Sequence, residues 1–135
     1  MAGITTHVLN TVTGQPGSGM RIDFSVLDGD TWHLVKSVRT NSDGRTDEMI
    51  LKPEETRVGQ YELLFHVDEY FARQGVALPD PPFIEKVPVR FAVFDPKQHY
   101  HVPMLATSWS CATRRPTPIA SRPPCARWAI SPPRT

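Results

Sequence analysis

The stretch MRIDFSVLDGDTWHLVKSVRT, residues 20–40, constrains the fold more than any other part of this chain. Ile22, Phe24 and Val26 alternate with Arg21, Asp23 and Ser25. A two-residue period is the pattern of a half-buried β-strand. Asp28-Gly29-Asp30 supplies a hairpin-type turn, and WHLVKSVRT (32–40) follows as the partner strand. NSDGR (41–45) is a second Asp-Gly turn. The same grammar recurs in ITTHVLN (4–10), QYELLFHV (60–67), KVPVRFAVF (86–94) and HYHVPMLAT (99–107). Pro88 lacks a backbone donor, so it suits the start of a strand or an edge strand. TGQPGSG and VALPDPPFIE read as loops. Only DEYFARQG (68–75) changes period. Tyr70, Phe71 and Gln74 sit at helical spacing, with Asp68 able to cap the start and Gly75 to stop it. With no βαβ rhythm and no internal repeat, the pattern predicts an antiparallel β-sandwich of seven to eight strands with one short helix, the last strand being doubtful.

A chain of 135 residues suits one domain. It contains no apolar run of about 18 residues, the length a membrane helix needs, and no basic-then-apolar leader. We therefore expect a cytoplasmic protein with no membrane partner. Charge is divided unevenly. Residues 1–110 carry ten Lys and Arg against fourteen Asp and Glu, whereas residues 111–135 carry five arginines and no acid. That division predicts a folded body, 1–110, followed by an Arg/Pro-rich tail, 111–135, whose composition is that of disorder. The tail has no recognition motif, so no nucleic-acid partner is expected. Both cysteines, Cys111 and Cys125, fall in it, which leaves the body without a disulfide framework.

Few side chains in the body can do chemistry. His7 lies mid-strand on the face shared by Thr5 and Leu9. Arg45 follows an Asp-Gly turn. His99 and His101 are two apart and share a strand face, while Tyr100, Val102 and Met104 take the opposite, core-seeking face. Two imidazoles on one face could form half a metal site, but no third ligand is placed, so no metal is expected. The strand histidine and the post-turn arginine each have an ordinary structural or solvated reading as well. His33 and His66 fit no pattern. Dinucleotide, phosphate-loop, serine-elbow and zinc-helix signatures are absent, so no cofactor is expected.

ITTHVLNTVTGQP, TNSDGRTDE, VGQYELLFHVDEYFARQG and HYHVPMLATSW follow one another from residue 3 to about residue 110. In that order and spacing they resemble the transthyretin-like 5-hydroxyisourate hydrolases of purine catabolism. The resemblance implies a two-sheet sandwich of eight strands with one short helix, assembled as a homotetramer with active sites between dimers. It implies a small-molecule substrate, 5-hydroxyisourate, opened hydrolytically to 2-oxo-4-hydroxy-4-carboxy-5-ureidoimidazoline without metal or cofactor. By position it implies catalytic roles for His7, Arg45 and His101. Substrate contacts are implied for His7, Arg45, His99 and Arg115. Which histidine is the base is left open.

The resemblance breaks after Trp109. Members of the family end in Tyr-Arg-Gly-Ser, where this chain has Arg114, Arg115, Pro116 and Thr117, and only Arg115 matches. The Arg, Pro, Ala and Ser vocabulary of the tail is that of GC-rich coding sequence read out of frame, which suggests a frame shift near Ser110. Two rival readings therefore stand beside the hydrolase: an inactive remnant of one, and a transthyretin-like carrier of a small ligand.

Overall fold

The computed structural model describes residues 3–113. In chain order the elements are β1 (Gly3–Asn10), β2 (Gln15–Pro16), β3 (Arg21–Asp28), β4 (Thr31–Arg39), β5 (Gly59–His66), α1 (Val67–Arg73), β6 (Lys86–Val93), β7 (His99–Ala106) and β8 (Cys111–Ala112). They form two four-stranded sheets, ordered β2-β1-β7-β8 and β4-β3-β5-β6. The sandwich with one short helix is the architecture that the alternation and turns predict.

Alternation fixes what each sheet buries. On β1, Ile4 and Val8 are fully buried, and on β3 Ile22 and Phe24 join them. Leu63 and Phe65 come from β5, and Tyr100 and Met104 from β7. Burying a side chain such as Phe24 stabilises the fold by roughly 1.5–3 kcal/mol. Phe24 also stacks on Tyr61, with ring centroids 5.5 Å apart. Two polar side chains accompany the inward face of β1, and each has a partner. Thr6 Oγ1 donates to the Val102 carbonyl at 2.6 Å, and Asn10 Nδ2 donates to the Tyr70 hydroxyl at 3.1 Å.

Three details go beyond the periodicity. First, β1 runs parallel to β7 over its whole length, from Gly3 beside His99 to Asn10 beside Ala106. The other ladders are antiparallel. Second, the β3–β4 register shifts between Phe24 and Ser25. The skipped residue is Val35 on β4; beyond it Ser25 is buried, and Val26, half-buried, still packs against the core as its alternation predicts. Third, α1 begins at Val67 with His66 in the capping position, and Asp68 does not cap it. The Asp68 carboxylate instead accepts from the neighbouring Glu69 N–H and pairs with Lys86. The helix does stop before Gly75, whose φ of +83° is the left-handed conformation that suits glycine.

Pro88 sits on β6, an edge strand, where its missing donor costs no ladder bond to a neighbour on the open side. β8 opposes β7 at Leu105 and Ala106, and Thr113 Oγ1 donates to the Pro103 carbonyl beyond it. Cys111 is a half-buried free thiol whose pKa is raised by burial, an unreactive setting. Among the described residues no helix is long and apolar enough to cross a membrane.

Candidate active site

The parallel β1–β7 ladder builds the site. In-register neighbours on adjacent strands share a face, so Thr5 stands beside His101 and His7 beside Pro103. His99, two residues before His101, lies on the same face. Thr5 Oγ1 is 2.8 Å from His101 Nδ1 and 2.9 Å from His99 Nε2. The two rings lie nearly parallel, at 14°, with centroids 6.4 Å apart.

The other side of β1 brings in Arg45. His7 and Arg45 form an isolated antiparallel bridge. Around it the chain is pinned by the Val8 N–H to Gly44 carbonyl bond at 2.7 Å and the Ile4 N–H to Leu51 carbonyl bond at 2.9 Å. The turn before Arg45 is stapled by Asn41. Its Oδ1 accepts from the N–H groups of Asp43 and Arg45, and its Nδ2 donates to Asp47 at 3.0 Å. Gly44 is required here: its φ is +77°, and a Cβ would collide with the Val8 carbonyl oxygen.

Between this loop and β7 opens a cleft of about 570 Å³, walled by Thr5, Arg45, Asp47, Glu48, Met49, His99 and His101 among others. That size is ample for a small polar molecule. His7 stands beside the wall, next to Arg45. His101 also borders a smaller, apolar cavity of about 190 Å³ shared with Val89, Phe91, Tyr100 and Val102. Its pKa is lowered from 6.5, first by burial and then by the positive fields of Arg45, His99 and His7. At neutral pH His101 is therefore an uncharged imidazole, able to accept a proton. Among the described residues no group of three or more His, Cys, Asp or Glu is arranged to hold a metal ion.

Of the residues singled out from sequence, His7, Arg45, His99 and His101 come together, although they lie on three separate segments. Arg115 lies outside the described residues. His33 stays apart, on exposed β4, 3.8 Å from Asp28. His66 turns out to be architectural: its Nε2 is 2.9 Å from Asp23 Oδ2 at the junction of β5 and α1. Thr5 is the site residue that pattern reading passes over. Its signal was present, since Thr5 precedes His7 by two and so shares its face.

Comparison with known proteins identifies relatives over most of the chain. The 5-hydroxyisourate hydrolase 2 of Rhizobium meliloti (strain 1021) is 47% identical over 112 residues, covering 83% of this chain and 93% of that protein. The solved structure described as (S)-allantoin synthase is 39% identical with a TM-score of 0.79, covering 86% of this chain and 44% of that one. Sea bream transthyretin in complex with thyroxine shares the fold at 23% identity and a TM-score of 0.75, covering 86% of this chain and 96% of its own. The model of the HIUase/Transthyretin family matches residues 4–115. With this match over most of its length, the chain belongs to the HIUase/Transthyretin family.

Proposed function

We propose that this protein hydrolyses 5-hydroxyisourate, opening its ring to 2-oxo-4-hydroxy-4-carboxy-5-ureidoimidazoline. The observation that carries this reading is that Arg45 and His101 line one open cleft, with His7 bridged to Arg45 beside it. Relatives with 44–47% identity are named 5-hydroxyisourate hydrolases, which supports the same substrate.

The reaction needs a base, an acid and a charge clamp. A neutral imidazole takes a proton from water, and the resulting hydroxide adds to the ring carbonyl carbon. The carbon–nitrogen bond then breaks, and the leaving nitrogen takes the proton back from the imidazolium. Arg45 presents fixed donors to the anionic, urea-like edge of the substrate and steadies the oxyanion. His7 and His101 position and activate the water, His99 contacts substrate, and Arg115 is assigned a substrate contact by its place in the family pattern. No step requires a metal or cofactor. We assign the functional unit as a cytoplasmic homotetramer, the assembly expected for this fold.

A carrier role is the second reading, favoured by the likeness to transthyretin. The polar wall of Thr5, Arg45, Asp47, Glu48, His99 and His101 disfavours it, because an apolar ligand would leave these groups unpaired. To test the reading, 5-hydroxyisourate is generated with urate oxidase, and loss of its ultraviolet absorbance is followed with and without the protein. Acceleration over spontaneous decay, lost in His101→Gln and Arg45→Gln, is the expected result. Decay at the spontaneous rate would refute it.

A further inference from the structure

Thr5 has a single hydroxyl proton and stands between two imidazole nitrogens, at 2.8 Å from His101 Nδ1 and 2.9 Å from His99 Nε2. A hydroxyl can donate once and accept from others, and a neutral imidazole carries its proton on one nitrogen only. The hydroxyl oxygen has two lone pairs, so both contacts are made at once in three arrangements. In the first, Thr5 donates to His101 Nδ1 and accepts from His99 Nε2–H. That leaves His101 with its proton on Nε2 and no lone pair to offer. In the second, His101 Nδ1–H donates to Thr5, and Thr5 donates to His99 Nε2. In the third, both imidazoles donate to Thr5, and its own proton points elsewhere. His101 Nε2 is free in the second and the third, but only the second also leaves His99 Nε2 able to receive a proton through Thr5.

We propose that Thr5 is a positioning residue that couples the two histidines, holding His101 with a free Nε2 and His99 ready to receive the proton that His101 captures. The proposal rests on the hydrolytic reading of the site and goes beyond it, by naming the base and a route for its proton. The transfer balances. Water gives a proton to His101 Nε2, the Nδ1 proton moves to Thr5 Oγ1, and the Thr5 hydroxyl proton moves to His99 Nε2. The result is the first arrangement with one added proton, its charge on His99. Direction follows from placement. His99 is exposed, so water solvates a cation there, while His101 is half-buried and faces the Arg45 guanidinium. The reverse hop returns a proton for the leaving nitrogen.

The test compares wild type with Thr5→Val, which keeps the β-branched shape without the hydroxyl, and Thr5→Ser, which keeps the hydroxyl. Imidazole ¹⁵N shifts read the tautomers without substrate at pH 8, with signals assigned through His99→Gln and His101→Gln. In wild type, His101 is expected as the Nδ1–H form. In Thr5→Val it becomes a mixture, and kcat falls about 10-fold or more with KM held within about 2-fold, while Thr5→Ser stays within about 3-fold of wild type. Unchanged ¹⁵N shifts in Thr5→Val, or Thr5→Ser as impaired as Thr5→Val, would overturn the coupling. Tautomers that shift as stated in a protein with no hydrolytic activity would support the coupling and overturn the proposed reaction.

Discussion

His7 and Arg45 face each other across an isolated antiparallel bridge, although β2 and the β3–β4 hairpin separate them along the chain. The bridge exists because Gly44 lets the loop backbone approach β1 closely enough for its carbonyl to accept from Val8 N–H. Gly44→Ala would force a side chain into the left-handed region and against the Val8 carbonyl oxygen. We expect a loss of about 1–3 kcal/mol in stability and at least a roughly 10-fold fall in kcat/KM as Arg45 is displaced. Thermal unfolding and the ultraviolet assay check both.

Burial, Arg45, His99 and His7 all hold the His101 pKa below 6.5. The acid limb of kcat/KM should therefore fall below that value. Arg45→Gln removes the second of these causes and leaves the first, so NMR titration of His101 should show its pKa rising part of the way back towards 6.5. Below pH 6.5 the unfolded chain binds the proton more readily than the fold, so this group's contribution is complete above 6.5 and is lost as pH falls towards the depressed value. A His101 titration unmoved by Arg45→Gln would contradict the electrostatic account.

Asn10 is buried on the inner face of β1, and its amide donates to Tyr70 on α1. Tyr70→Phe removes the acceptor and strands that donor away from water. A loss of about 1–3 kcal/mol in urea unfolding is expected. Hydrolysis should be unaffected at temperatures where the variant is folded, since the change lies on the opposite face from His7.

Asp23 gathers Ser37 Oγ at 2.6 Å, His66 Nε2 at 2.9 Å and Arg21 Nε at 3.0 Å. Burial raises its pKa, but hydrogen bonds from Ser37, His66 and Arg21 outweigh this, and the net shift is below 3.8. Its contribution is present above 3.8 and disappears as pH falls through the lower folded value. Asp23→Asn should cost about 2 kcal/mol at neutral pH and flatten the acid dependence of stability below pH 4. Acid titrations of wild type and variant, followed by circular dichroism, measure the difference.

Much of the fold is legible in the sequence. Ile22 and Phe24 announced a half-buried strand, Asp28-Gly29 a hairpin, and Pro88 an edge. His7, Arg45 and His101 were marked by their place in a family pattern, since spacing alone left each with a bland reading. Period-two alternation says which face a residue takes, but not which distant strand lies beside it. The parallel pairing of β1 with β7 was therefore invisible, and with it the meeting of Thr5 with His101. The bulge after Phe24 was hidden for a related reason: Val35 has no sequence mark that its strand will skip a partner there. His66 looked patternless because its partner Asp23 is 43 positions away and reaches it only through the β3–β5 ladder.

The β1–β7 ladder also sets when the enzyme can begin to work. β1 precedes β7 by most of the sandwich along the chain, and contacts between distant segments form slowly. During synthesis Thr5 must wait for its two histidine neighbours until residues 99–106 emerge. Recovery of catalysis on refolding should consequently trail the burial of Phe24 against Tyr61, making turnover a clock for the final closure of the sandwich.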